Sequence, residues 1–345
     1  VGSEMCIRDR KMGEQFKFKS PLAPFINGFI SGKDSAGCAF LRGRWICLEI
    51  DKFFLEEGLT EAIITAEIVE KWRSTRTADS KRTLHAKYNI WQQLARYMNR
   101  NGCHCYVPQS VPMPHAHTSS PYIFTTQQML RIFEESNKMT VFNKNMRNGV
   151  IVMPALIRFL YSTGVRISEA LSIKNRDLHL DEGFILLRTT KNGHERLTAI
   201  NESLKSVLLN YIACRDFNAN KASCFDKPLF VKLDGSRIAY NTVTSWFKKI
   251  LKASGIPCTA NHIGEHQGPR VHDLRHTAAC HALAKMIRTG KDPNTVMPVI
   301  REWLGHRSIR ACEGYLRLTS ELYPDLREIM SSIEKRIKTD YVYEE

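Results

Sequence analysis

Met153-Pro-Ala-Leu-Ile-Arg-Phe-Leu160-Tyr-Ser-Thr163-Gly164-Val-Arg166-Ile-Ser168-Glu169-Ala-Leu171 opens as an apolar run, breaks at a glycine and resumes behind an arginine. Met153 to Leu160 predicts a buried helix that Ser162-Thr163-Gly164 stops, with glycine supplying the tight break. A second helix begins after Arg166 with Ser168-Glu169 in its first turn. Downstream, Phe184–Leu187 and Arg196–Ile200 suit strands, and Lys191-Asn192-Gly193 between them carries the Asn-Gly pair that hairpin turns favour. Most of the rest reads helical, so the expected fold is mainly α with a small antiparallel β-sheet.

Upstream, residues 38–100 read as helices. Leu84, Tyr88, Trp91, Leu94 and Met98 recur at spacings of three and four and share one face, for which core packing is the default. From Asn101 to Leu130 there is no Asp, Glu, Lys or Arg, and Pro108, Pro112 and Pro114 fall close together. That composition reads as a linker. The organisation expected is a tail at 1–14, a helical domain at 15–115, the end of the linker at 116–122 and a larger domain at 123–345. The first ten residues, VGSEMCIRDR, fit no structural pattern and are set aside as non-native, with Met12 as a possible start.

The 345 residues carry 50 Lys and Arg against 35 Asp and Glu, a formal charge of +15, and 43% are hydrophobic. General disorder is excluded, and a polyanionic partner is the first hypothesis, nucleic acid ahead of membrane. No window approaches the ~18 apolar residues of a membrane span. The ten cysteines are scattered, which suits reduced thiols and a cytoplasmic protein. Residues 71–100 hold Lys71, Arg73, Arg76, Lys81, Arg82, Lys87, Arg96 and Arg100 against Asp79 alone. A solvated face would mix signs, so this stretch favours phosphate contact, with Lys71, Arg73, Arg76, Lys81, Arg82 and Lys87 as candidate DNA-binding residues.

Five segments set cations beside apolar anchors: Thr163–Leu171, Thr190-Lys191-Asn-Gly, His272-Asp-Leu-Arg275-His276, Leu304-Gly-His306, and Tyr315. Singly, Arg166 could cap a bend, Lys191 could be a solvated turn residue, His306 a satisfied histidine and Tyr315 a half-buried helix residue. Together their order and spacing are informative. His272 and Arg275 share a helix face, and His306 and Tyr315 are nine apart, within reach of one centre across a short loop.

In these five ordered motifs the chain resembles the tyrosine recombinase (phage integrase) family. The resemblance covers the chain after about residue 15 and implies a helical, SAM-like core-binding domain followed by an integrase-like (DNA breaking-rejoining) catalytic domain, the two closing on double-stranded DNA. It implies a site-specific recombinase that cleaves and rejoins DNA through a 3′-phosphotyrosyl intermediate, for integration or excision of a mobile element. A homo-oligomer on the recombination sites, a tetramer, follows from the same likeness. Tyr315 would be the nucleophile and Lys191 the general acid.

The chemistry requires these residue types. Arg166 and Arg275 can each hold a phosphate oxygen with a planar donor fork, and His306 can add a hydrogen bond. A phenol with a pKa near ~10 needs a base or a cationic field, and His272 is the base candidate. Glu169 reads either as an acid orienting an active-site cation or as an ordinary first-turn residue. No cofactor is expected, and no metal: Cys258, His262, His266 and His272 crowd together and Cys103-His104-Cys105 lies in the linker, but neither has a zinc spacing. Tyr323, Tyr341 and Tyr343 lack the nine-residue relation to His306.

Two further expectations concern the surface. Met286 to Val296 looks longer than the family pattern and should lengthen a loop. Ser320 to Ile337 places Leu322, Leu326, Ile329 and Ile333 on one face of a helix that could dock on a neighbouring protomer, or pack within its own chain. The competing readings are a type IB topoisomerase-like enzyme, which the separate core-binding domain disfavours, and a catalytically silent DNA-binding regulator, which the complete residue set disfavours.

Overall fold

Residues 16–38, 40–109, 111–112, 120–140, 147–188, 195–218, 223–257, 268–306 and 308–328 are described, in a computed structural model. Residues 1–14, Lys191, Cys258, His262, His266, Ile329, Ile333, Tyr341 and Tyr343 lie outside them. The chain divides into two compact units, Val1–Thr118 and Ser119–Glu345.

The first unit consists of α1 (Ala23–Ser35), α2 (Leu41–Glu56), α3 (Ala66–Ser74) and α4 (Lys81–Arg100). Thr65 and Ser80 start the last two: each side chain accepts the amide three residues on, at 3.3 and 3.2 Å. The stripe read on α4 is the buried one, with Tyr88, Trp91, Leu94 and Met98 in the core and Leu84 packed at its margin. Trp91 meets Trp72 edge to face at 5.5 Å, and both are fully buried.

Much of the uncharged segment is tied down. Tyr106 N–H donates to Ile64 O at 2.8 Å, Gln92 Nε2 to Pro108 O at 2.7 Å, and Cys105 N–H to Asn99 Oδ1 at 2.6 Å. Cys105 is itself buried and its sulfur accepts from Ile64 N–H. A segment without charges can lie against apolar surface at little desolvation cost, and this one straps the first core.

In the second unit, α5 (Thr126–Asn137) starts from a capping box in which Thr125 and Gln128 exchange side-chain and backbone hydrogen bonds. There follow α6 (Arg147–Val150), α7 (Val152–Thr163) and α8 (Ile167–Ala170). Then comes an antiparallel sheet of β1 (Leu178–His179), β2 (Phe184–Leu187) and β3 (Arg196–Ala199) in that order. Phe184 pairs with Ala199 and Leu187 with Arg196, so the two strands pair as the sequence pattern predicts. Five more helices follow among the described residues: α9 (Glu202–Asn218), α10 (Tyr240–Ala253), α11 (Asp273–Arg288), α12 (Pro293–Leu304) and α13 (Glu313–Leu322). The last three share one core, in which Cys280, Leu283, Ile300, Leu304 and Leu316 are buried.

Two expectations fail here. Met286 to Val296 does not make a long loop: its first residues finish α11, its last begin α12 with Val296 buried, and Thr289–Asp292 alone connects them. Ser320 to Ile337 is not one helix from its start. α13 ends at Leu322, Pro324 opens a short 3-10 turn, and Leu326 is buried in its own chain's core. Among the described residues no helix is long and apolar enough to cross a membrane.

Candidate active site

The Met153–Leu171 stretch folds as a helix, a sharp break and a second helix. Gly164 ends α7 at φ +61°, where a side chain would be strained and its Cβ would lie 3.0 Å from Leu304. Arg166 then occupies the position before α8 with extended backbone, and Glu169 reaches back to accept its N–H at 3.0 Å. Glu169 also accepts from Arg166 Nη1 at 2.7 Å and from Arg196 Nη2 at 3.0 Å, although it is only 1% exposed. Burial alone would raise its carboxyl, but the Arg196 hydrogen bond and charge, then Arg166, hold it below the usual range.

The start of α11 supplies four more groups. Arg275 is 2% exposed and donates to Gly164 O and to Leu304 O, both at 2.7 Å, which locks its guanidinium between the two chain breaks. Burial, then the neighbouring Arg166, lowers it to about 10. His272 precedes the helix, and its ring meets that of His276 edge to face at 4.9 Å. Asp273 caps the same turn by accepting Arg270 N–H at 2.8 Å.

α12 ends at Leu304, and Gly305 at φ +65° turns the chain so that His306 faces α13. A Cβ at Gly305 would lie 2.8 Å from Arg196 Nη1. The His306 ring stacks on Tyr315 at 6.0 Å with planes 22° apart, and its Nδ1 lies 3.3 Å from Cys312 Sγ. Tyr315, on the face of α13 packed toward α11, is 4% exposed, and its hydroxyl lies 3.2 Å from His276 Nδ1. Burial pushes the phenol up to about 12, against the opposing pull of Arg275.

Arg166, Arg275, His306 and Tyr315 therefore converge with Glu169. His272, the base candidate, meets the ring of His276 edge to face, and the histidine whose ring nitrogen reaches the Tyr315 hydroxyl is His276. Sequence pattern also leaves Arg196 as a strand residue, whereas its side chain bonds Glu169 of α8 and lies against the Gly305 turn. The signals for both are slight: His276 stands within the His272–His276 motif, and Arg196 opens the strand opposite Leu187.

Residues 123–321 match the phage integrase family. The chain belongs to that family. It is 25% identical over 285 residues to the putative integrase/recombinase y4rB of Sinorhizobium fredii, covering 82% of this chain and 88% of that protein. Tyrosine recombinase XerC of Thermodesulfovibrio yellowstonii is 32% identical over 183 residues, 52% of this chain and 53% of that one. The fold is shared with a lambda integrase dimer bound to a COC′ core site, with TM-score 0.57, 14% identity, and 85% and 76% of the two chains covered. It is shared likewise with XerH recombinase in a post-cleavage complex with difH, with TM-score 0.55, 18% identity, and 84% and 80% covered.

Much of the basic stretch of the first unit is ion-paired. Lys87 is buried and donates to Glu49 at 2.8 Å and to Asp79 at 2.7 Å, so it is not open to a phosphate. Arg76 joins the same Glu49 at 3.1 Å, Lys71 pairs with Glu57, and Arg73 pairs with Glu70 at 3.6 Å. The acidic residues of the preceding segment fold back onto the basic ones. Lys81 and Arg82 are exposed in the first turn of α4.

Proposed function

We propose that Tyr315 is the nucleophile with which this member of a site-specific recombinase family breaks and rejoins duplex DNA. The observation that carries the reading is the hydroxyl of Tyr315, held at His276 beside the His306 ring and the Arg275 guanidinium. A phenol surrounded by fixed cations and histidines suits attack on a phosphodiester, where negative charge builds on the non-bridging oxygens. Arg166 and Arg275 would each offer a fork to those oxygens and His306 a further hydrogen bond, while Glu169 holds Arg166 in place. Attack leaves a 3′-phosphotyrosine and a 5′-hydroxyl, with Lys191, which lies between β2 and β3 in the sequence, as the proton donor to the leaving oxygen. The phosphoester bond is conserved, so a partner strand's 5′-hydroxyl reseals it without ATP or metal.

The first unit is the core-binding domain in this reading, with Lys81 and Arg82 binding backbone phosphates. Cations in the first turn of a helix oppose the helix dipole, so their place costs stability that a phosphate would return. A homotetramer on paired sites would exchange strands in integration or excision of a mobile element.

The test is covalent trapping. A duplex selected for binding from a randomised pool is nicked so that the cleaved 5′-hydroxyl fragment diffuses away. The full chain should leave a denaturation-resistant protein–DNA adduct, and Tyr315→Phe should bind but leave none. Absence of adduct with the unaltered chain, or its persistence in the Phe variant, would refute the assignment.

A further inference from the structure

Tyrosine is a poor nucleophile until its proton has somewhere to go, and few groups near Tyr315 can take it. Arg275 only donates. His306 stacks on the phenol with ring planes 22° apart and so presents its face, and its Nδ1 is turned to Cys312 Sγ at 3.3 Å. The Glu169 carboxylate is held by Arg166 and Arg196, and Asp273 is turned to the Arg270 amide. His272 touches the ring of His276 rather than the phenol. Among the described residues, His276 Nδ1 is the ring nitrogen placed at the phenol.

We infer that His276, not His272, is the general base of the cleavage step, its Nδ1 taking the Tyr315 proton as the hydroxyl oxygen attacks phosphorus. The inference rests on the recombinase reading. A lone pair on Tyr315 Oη forms the O–P bond, and the P–O5′ bond breaks with its pair remaining on O5′. The phenolic proton passes to Nδ1, and O5′ receives a proton from Lys191. Resealing reverses each transfer, and the imidazolium returns its proton to the departing phenolate.

The surroundings make this base dependent on substrate. Burial first, then His272, Arg275, Arg270 and His306, hold His276 at about 3, so the ring is neutral across the physiological range. With Nδ1 accepting, the neutral ring carries its hydrogen on Nε2. A histidine so disfavoured as a cation cannot strip a free phenol. A phosphate seated among the same arginines offsets their charge and makes the imidazolium tolerable, while the phenol becomes acidic as its bond to phosphorus forms. Tyrosine activation is thereby tied to the presence of a scissile phosphate.

The experiment measures adduct formation by the full chain on the nicked, selected duplex. Asparagine can keep an acceptor near the Nδ1 position without being a useful base, so His276→Asn should bind DNA with unaltered affinity and form adduct at least about 100-fold more slowly. His276→Ala should slow similarly and recover at least about tenfold with added imidazole. Cleavage by His276→Asn at the normal rate would overturn the inference. So would faster cleavage, which would make the hydrogen bond a store for an idle tyrosine, or an equal loss of DNA affinity, which would make His276 a packing residue. No adduct from the unaltered chain fails the recombinase reading itself, a result separable from slow variants beside an active parent.

Discussion

Arg166 and Arg275 are fixed in different ways, and the difference bears on what each can lose. Arg275 gives one hydrogen of each Nη to a backbone carbonyl and is sealed from solvent, so its position is part of the core. Arg166 is more open, its side chain 19% exposed and anchored by one carboxylate. Replacing it by lysine preserves charge and Glu169 pairing but not the fork. Arg166→Lys should therefore retain DNA affinity within a few-fold and lose at least about 100-fold in adduct formation. Adduct formation at the parental rate would remove Arg166 from the phosphate clamp. At this scale the motif residues were legible because spacing on one helix, as with His272 and Arg275, is a local property. His276 and Arg196 were not, because their roles depend on the approach of α13 and β3, which no local pattern encodes.

Among the elements, the break between α7 and α8 has the largest consequence for the site. Gly164 allows the chain to turn within three residues, its carbonyl accepts from Arg275, and the turn it makes places Arg166 against Glu169. Alanine there meets two penalties, a left-handed backbone worth about 1–2 kcal/mol and a Cβ pressed on Leu304 and Trp303. Gly164→Ala should lower unfolding free energy by at least that amount in denaturant titration and slow adduct formation by displacing Arg166. Unchanged stability would show that the break does not depend on glycine. The helix–break–helix and the hairpin were both legible in the sequence, since each is marked by a local Gly signal. The fates of Met286–Val296 and the Ser320 run were not. Whether extra residues lengthen a loop or its flanking helices is decided by the core that receives Val296 and Leu326.

For the whole molecule, a formal charge of +15 specifies a polyanion but not which cations meet it. Counting signs within residues 71–100 overlooks Glu49 and Glu57, which come from the segment before it. Once α2 and α4 pack, Lys87 is committed to Glu49 and Asp79 over the Trp72 ring, and the exposed first-turn pair faces solvent. The two sets make opposite forecasts. Neutralising Lys81 and Arg82 to glutamine should weaken DNA binding and flatten the dependence of log affinity on log salt by about 2, close to 0.9 for each phosphate no longer neutralised, with no loss of stability. Lys87→Met should leave that slope unaltered but destabilise the fold by roughly 2–3 kcal/mol, below the 3–5 of fully buried pairs because its partners keep some solvent. Salt titrations of binding and denaturant titrations of both variants decide the matter. A flattened slope for Lys87→Met with no flattening for Lys81 and Arg82 would place the phosphates on the other side of the helix.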